Sequence, residues 1–173
     1  MWKRWLVCAL VAGAVVSASS ADAANRGRVT RIRVKKSAHE MQLFAGEVSV
    51  ATYRVAIGPG GMGPKRQEGD QVTPVGRYHI VHKAPSQFHI FMLLDYPNAA
   101  DRERFAQLKR DGVLSKEATI GGAVGIHGAP RQPEWKRSHK EFDWTLGCVA
   151  VDDDEIERIA AQVEAGTVVD IED

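Results

Sequence analysis

Apolar runs of strand length, cut again and again by glycine, proline or an Asn/Asp turn, leave this chain room for a β-rich fold and little else. Thr30, Ile32 and Val34 alternate with Arg31 and Arg33, the pattern of a half-buried strand. Met41 to Phe44 and Glu47 to Ile57 flank Ala45-Gly46 as a hairpin, and a shift of apolar parity between Val50 and Tyr53 indicates a bulge. Arg77 to His82 and Phe88 to Leu94 read as two further strands, the second nearly all apolar and therefore central. Gly121 to Gly128 is a glycine-broken strand, another follows Cys148, and Thr167 to Ile171 is the last. Helical period occurs in two places. Asn98 caps a segment running to about Arg110, with Phe105 and Leu108 inward and Gly112 ending it. Asp152 and Glu155 form an approximate capping box before Ile156, Ile159, Ala160 and Val163, and Gly166 stops that helix. The expectation is one mainly β domain with two peripheral helices, over residues 24–173.

The first residues stand apart. Met1-Trp2-Lys3-Arg4-Trp5 is a basic n-region, Leu6 to Val16 an apolar h-region too short to span a bilayer, and Ala21-Asp22-Ala23 fits the A-x-A cleavage rule. Residues 1–23 are read as a signal peptide, which implies export and no stable membrane span after processing. Its removal takes Lys3, Arg4 and Asp22, leaving equal numbers of basic and acidic residues and no polybasic block. That balance argues against nucleic acid or an anionic membrane as main partner. Cleavage also removes Cys8 and leaves Cys148 alone. Exported proteins pair their thiols, so a single unpaired one is a liability unless it reacts for a purpose.

Gly58 to Gly76 is a long loop of glycine, proline and charge, longer than an idle connection needs. Its Gly58-Pro59-Gly60-Gly61-Met62-Gly63 satisfies G-x-G-x-x-G, but no helix opens there and no βαβ unit surrounds it, so a dinucleotide site is rejected. Among the histidines, His79 and His82 lie on opposite faces of a strand, and His39 sits in a polar turn. His139, in a Lys/Arg-rich loop, reads as a surface residue. With one cysteine and no H-E-x-x-H, no metal site is expected. His127 differs: it ends the apolar run Ala123 to Ile126 and precedes Gly128, mirroring Cys148, which begins a strand after Gly147. If those strands pair, a base meets a nucleophile, the minimum for cysteine catalysis.

Ile126-His127-Gly128 followed by Thr145-Leu146-Gly147-Cys148-Val149 resembles the H-G…[S/T]-x-G-C-[I/V] signature of the L,D-transpeptidase catalytic domain, often called YkuD-like. Thr73-Pro74-Val75-Gly76-Arg77-Tyr78 is similar to the family's T-P-x-G-x-[F/Y] element. Ser86 to Asp101, with Phe88 and Tyr96-Pro97, is similar to a periplasmic subgroup. The resemblance implies a curved β-sandwich around a groove, no cofactor, a periplasmic location, and action on peptidoglycan stem peptides at the L-centre carbonyl of the third residue. An amine acceptor, a second stem or a wall-linked protein, then takes the acyl group. It makes Cys148 the nucleophile and His127 the base, with Gly147 and Cys148 amides as oxyanion donors and His127 drawing the thiol toward thiolate. Thr145, with Gly128, supports the turns. Arg77, His89 and Trp144 are candidate substrate contacts; Lys65 and Arg66 could likewise meet stem carboxylates, but the favoured reading of them is as solvated loop charges. Many family members carry arginine two residues after the cysteine, where this chain has Ala150.

Three other readings compete. Water in place of the amine would make the enzyme an L,D-carboxypeptidase or an amidase releasing wall-linked protein. A non-catalytic wall-binding module would keep the thiol as a relic. A sortase-like enzyme also places His before Cys but needs a downstream arginine, and Arg158 falls on a helix; papain-like enzymes reverse the order.

Overall fold

The computed structural model describes residues 28–173. The expected signal peptide lies outside them. The elements are β1 (Arg31–Lys35), a 3-10 turn (Lys36–Ala38), β2 (Glu40–Ala45), β3 (Val48–Arg54), β4 (Gly76–Ser86), β5 (His89–Leu94), α1 (Ala99–Arg110), β6 (Gly125–His127), α2 (Pro133–Lys136), β7 (Val149–Ala150), α3 (Asp153–Gln162) and β8 (Val168–Glu172). The eight strands form one sheet in the order β3-β2-β1-β8-β4-β5-β6-β7. α2 is a single-turn helix that sequence period did not mark, beside the two expected helices.

The sheet curls because β4 is long and serves two neighbours. Its first residues pair with β8, and after a register shift between Ile80 and His82 the rest pairs with β5. The parity break in β3 is a bulge: Leu43 faces Ala51 while Phe44 faces Ser49, leaving Val50 as the extra residue. The curl brings the far edges together, since Ala56, just past β3, exchanges hydrogen bonds with Ala150 of β7 (3.0 and 2.8 Å).

Inward residues of alternating strands make the core. Ile32, Val34, Leu43, Tyr78, Ile80, Met92, Leu94, Ile126, Val149 and Val169 are all buried, and α3 adds Ile156, Ile159 and Val163. Each such side chain contributes about 1.5–3 kcal/mol relative to exposure. In α1, Phe105 and Leu108 are only half-buried. That helix is held instead by its start: Asn98 and Asp101 form a reciprocal capping box, and buried Asp101 also accepts from the Tyr78 hydroxyl (3.2 Å) and Arg104 (3.0 Å). Among the described residues no helix is long and apolar enough to cross a membrane.

Candidate active site

β6 and β7 run parallel, with Ile126 opposite Val149 and His127 opposite Ala150. Alternation along the strand therefore puts Cys148, two residues before Ala150, on the face that carries His127. Both line one cleft of about 570 Å³. Its other walls are aromatic (Phe88, Phe91, Trp144), polar (Lys65, Glu68, Gln71) and the loop Gly121–Val124, with Leu146, 76% exposed, at the rim.

The His127 ring is fixed on every side. It is 2% exposed, stacks on Phe88 (centroids 4.4 Å apart) and on Phe91 (5.9 Å), and meets Trp144 edge-on (5.6 Å). Its Nδ1 lies 2.8 Å from the Gly128 carbonyl oxygen, to which only a protonated nitrogen can donate. That sets the tautomer and leaves Nε2 as the basic nitrogen. Burial drives the imidazole pKa down to about 4, with nearby His139 adding to the effect and the Gly128 bond opposing it. The ring is neutral at physiological pH.

Cys148 is held by its backbone. Two threonine hydroxyls donate to its carbonyl, Thr145 at 2.7 Å and Thr73 at 3.3 Å, both from buried side chains. Thr145 Oγ1 also accepts from the Gly147 amide (3.2 Å), and Thr73 Oγ1 from the Gly58 amide (2.9 Å). Gly147 has φ +122, and a Cβ there would stand 2.8 Å from the Val72 carbonyl oxygen, so only glycine makes this turn without strain. The preceding residues hang from Ile57: its carbonyl accepts from the Trp144 and Thr145 amides, and its own amide donates to Asp143, which also meets His39 (3.0 Å). The thiol contacts the Ala123 carbonyl oxygen at 3.7 Å. Burial raises its pKa, against a lowering from a backbone contact at Gly125 and from Lys65.

Several expectations change. A resting thiolate paired with imidazolium is not what these surroundings favour, because desolvation penalises both charged forms. Of the two amides expected to face an oxyanion, that of Gly147 is taken by Thr145. Arg77 is exposed and pairs with Asp170, its cross-strand partner on β8, away from the cleft. His89 reaches Glu157 of α3 (2.6 Å) and lines a separate small depression. Trp144 does line the cleft, and its indole Nε1 is buried without a hydrogen-bond partner. His139 is not a surface residue: it is 1% exposed, bonded to Asp152 (2.9 Å) and edge-on to Trp144. Lys65 is not solvated either. It is 6% exposed, lines the cleft and meets Asp70 at 2.5 Å. The loop spacing Lys65…Asp70 was the available signal, since an Asp in a tight loop gathers its own amides. Ala150 is buried against Ala56. Gly58 and Gly60 of the rejected nucleotide motif let the loop fold on itself: a Cβ at Gly58 would lie 1.9 Å from the Gln71 carbonyl oxygen, and one at Gly60 2.1 Å from that of Asp70.

No group of three or more potential metal ligands occurs among the described residues. The model of the L,D-transpeptidase catalytic domain family matches residues 29–171. No curated protein sequence matches the chain. Among solved structures, the helical cell shape determining protein Pgp2 from Campylobacter jejuni is similar at TM-score 0.60 and 24% identity, over 84% of this chain and 48% of that one. Bd1075 from Bdellovibrio bacteriovorus gives 0.54 and 22%, over 83% and 48%, and the L,D-transpeptidase from Xylanimonas cellulosilytica 0.53 and 12%, over 84% and 61%. The chain thus spans about half the length of the first of these, and likeness at such identities concerns the fold.

Proposed function

Since this chain belongs to the L,D-transpeptidase catalytic domain family, we propose that it is a cysteine acyltransferase of peptidoglycan stem peptides, with Cys148 as nucleophile and His127 as base. The observation that carries this reading is the shared cleft. A neutral imidazole with Nδ1 committed to Gly128 and a thiol on the same sheet face line one cavity large enough for a peptide.

The reaction follows from those positions. Cys148 sulfur attacks the L-centre carbonyl of the third stem residue while His127 Nε2 takes the thiol proton, so the thiolate forms only as it is consumed. The carbonyl oxygen gains negative charge, toward which the Cys148 amide donates. His127 then returns the proton to the nitrogen of the terminal D-amino acid, which leaves, and a thioester remains. An amine acceptor attacks the thioester and gives its proton to His127, and the sulfur leaves and is reprotonated. Phe88, Phe91 and Trp144 offer an apolar wall to the stem's aliphatic parts. The expected signal peptide over residues 1–23 and a peptidoglycan substrate support a periplasmic location.

Incubation with purified tetrapeptide muropeptides, followed by chromatography and mass spectrometry, tests this. Dimers linked between third residues, with release of the terminal D-amino acid, are expected from the wild type and not from Cys148→Ala. Shortened stems without dimers would put water in the acceptor's place and overturn the transfer step. Unchanged muropeptides with folded protein would overturn the whole reading.

A further inference from the structure

Lys65 is a charged side chain buried at the cleft, and the reaction just described leaves it without a task. Its ammonium meets Asp70 at 2.5 Å. Such a pair would cancel at a distance if it lay flat against the site, but this one is oriented. Lys65 lines the cleft with Cys148, whereas Asp70 lines a different depression, with Arg66, Gln67 and Leu114. The Asp70 carboxylate also accepts from the backbone amides of Arg66 (2.7 Å), Gln67 (3.1 Å) and Val72 (3.0 Å). Burial pushes its pKa up, yet these bonds and Lys65 outweigh that and hold it below the usual carboxylate range. Three amide dipoles share the compensation of its negative charge, and the ammonium is left as the positive end, beside the turn that carries Cys148. Its Nζ stands 3.6 Å from where a Cβ on Gly147, the residue before Cys148, would lie.

We propose that Lys65, fixed by Asp70, is a positioning residue whose ammonium supplies the standing positive field that favours negative charge on the Cys148 sulfur. The role rests on Cys148 being the nucleophile and deepens that assignment. Two other titratable groups line the cleft with the sulfur. His127 is neutral at working pH and adds no standing charge. Glu68 carries the opposing sign, but its carboxylate is bonded to the Thr119 hydroxyl (2.5 Å). Lys65 is thus the one cation among the cleft-lining residues. A positive charge near a buried thiol offsets part of its desolvation penalty, which lowers the thiol pKa and raises its reactivity at neutral pH.

The test measures the iodoacetamide alkylation rate of Cys148 against pH, read by mass of the Cys148 peptide in the full chain. In Lys65→Met the midpoint rises by about one pH unit, a roughly tenfold loss of rate at neutral pH, and Lys65→Arg restores it. Lys65→Gln, which keeps a polar side chain without the charge, gives the same rise. Restoration by Lys65→Arg is not what simple loosening of the loop produces. A folded Lys65→Met with the wild-type midpoint would overturn the proposal. So would a folded Lys65→Gln with that midpoint, which decides the matter alone if Lys65→Met does not fold. Alkylation needs no peptidoglycan, so a failure of the muropeptide experiment leaves this result standing, and the reverse holds.

Discussion

Burial of His127 has a consequence for stability that acid exposes. Its imidazole titrates near 6.5 when unfolded and at about 4 in the folded chain, where desolvation dominates. Between those values the unfolded chain binds a proton that the folded one does not, so folding weakens as pH falls. The penalty is absent well above 6.5, amounts to about 2 kcal/mol on going from pH 7 to pH 5, and saturates at about 3 kcal/mol below pH 4. Urea unfolding of wild type and His127→Asn at the two pH values isolates it, because every other titrating group is common to both and cancels in the difference. The wild type loses about 2 kcal/mol more than the variant over this interval. Equal losses would show that the ring is not held neutral by its surroundings, and the argument from Phe88, Phe91 and the Gly128 carbonyl would fail with it.

Two further outcomes follow from the turn before Cys148. Gly147→Ala meets both a φ of +122 and the Val72 carbonyl oxygen at 2.8 Å; it loses about 2 kcal/mol or more in chemical denaturation and at least about tenfold in muropeptide turnover, since the sulfur moves with the turn. Thr145→Val keeps the shape but strips a donor from the Cys148 carbonyl and the acceptor from the Gly147 amide. Stability falls by about 2 kcal/mol, visible as a lower melting temperature, and a variant that melts like wild type would show that the two bonds are not what holds the turn.

The parts of this molecule governed by local rules could be read from the chain. Alternation at Thr30–Val34, the bulge at Val50, the Asn98 box and the apolar stripe of α3 depend on neighbours a few positions away. The pairing of β6 with β7 was an inference from layout, and the observed register brings His127 and Cys148 to one face. What could not be read depended on register and on distant partners. Arg77 faces β8 because β4 pairs there by its first residues, and Asp170 is directly opposite. His89 itself takes a left-handed φ of +68, and its ring meets Glu157 of α3. The burial of Lys65 and His139 violates the ordinary expectation for their types, and each is bonded to a carboxylate.

The carbonyl of Cys148, gripped by Thr73 and Thr145, also decides which wall of the cleft must give. With that peptide plane clamped, the Cys148 backbone has little freedom to shift during the proposed attack. Opposite it, Ala123 holds a left-handed φ of +53, follows Gly121 and Gly122, and is tethered to the sulfur through the thiol hydrogen alone. In the proposed reaction acylation would remove that hydrogen, and the Ala123 carbonyl would lose its contact with the sulfur while the Cys148 backbone stays clamped.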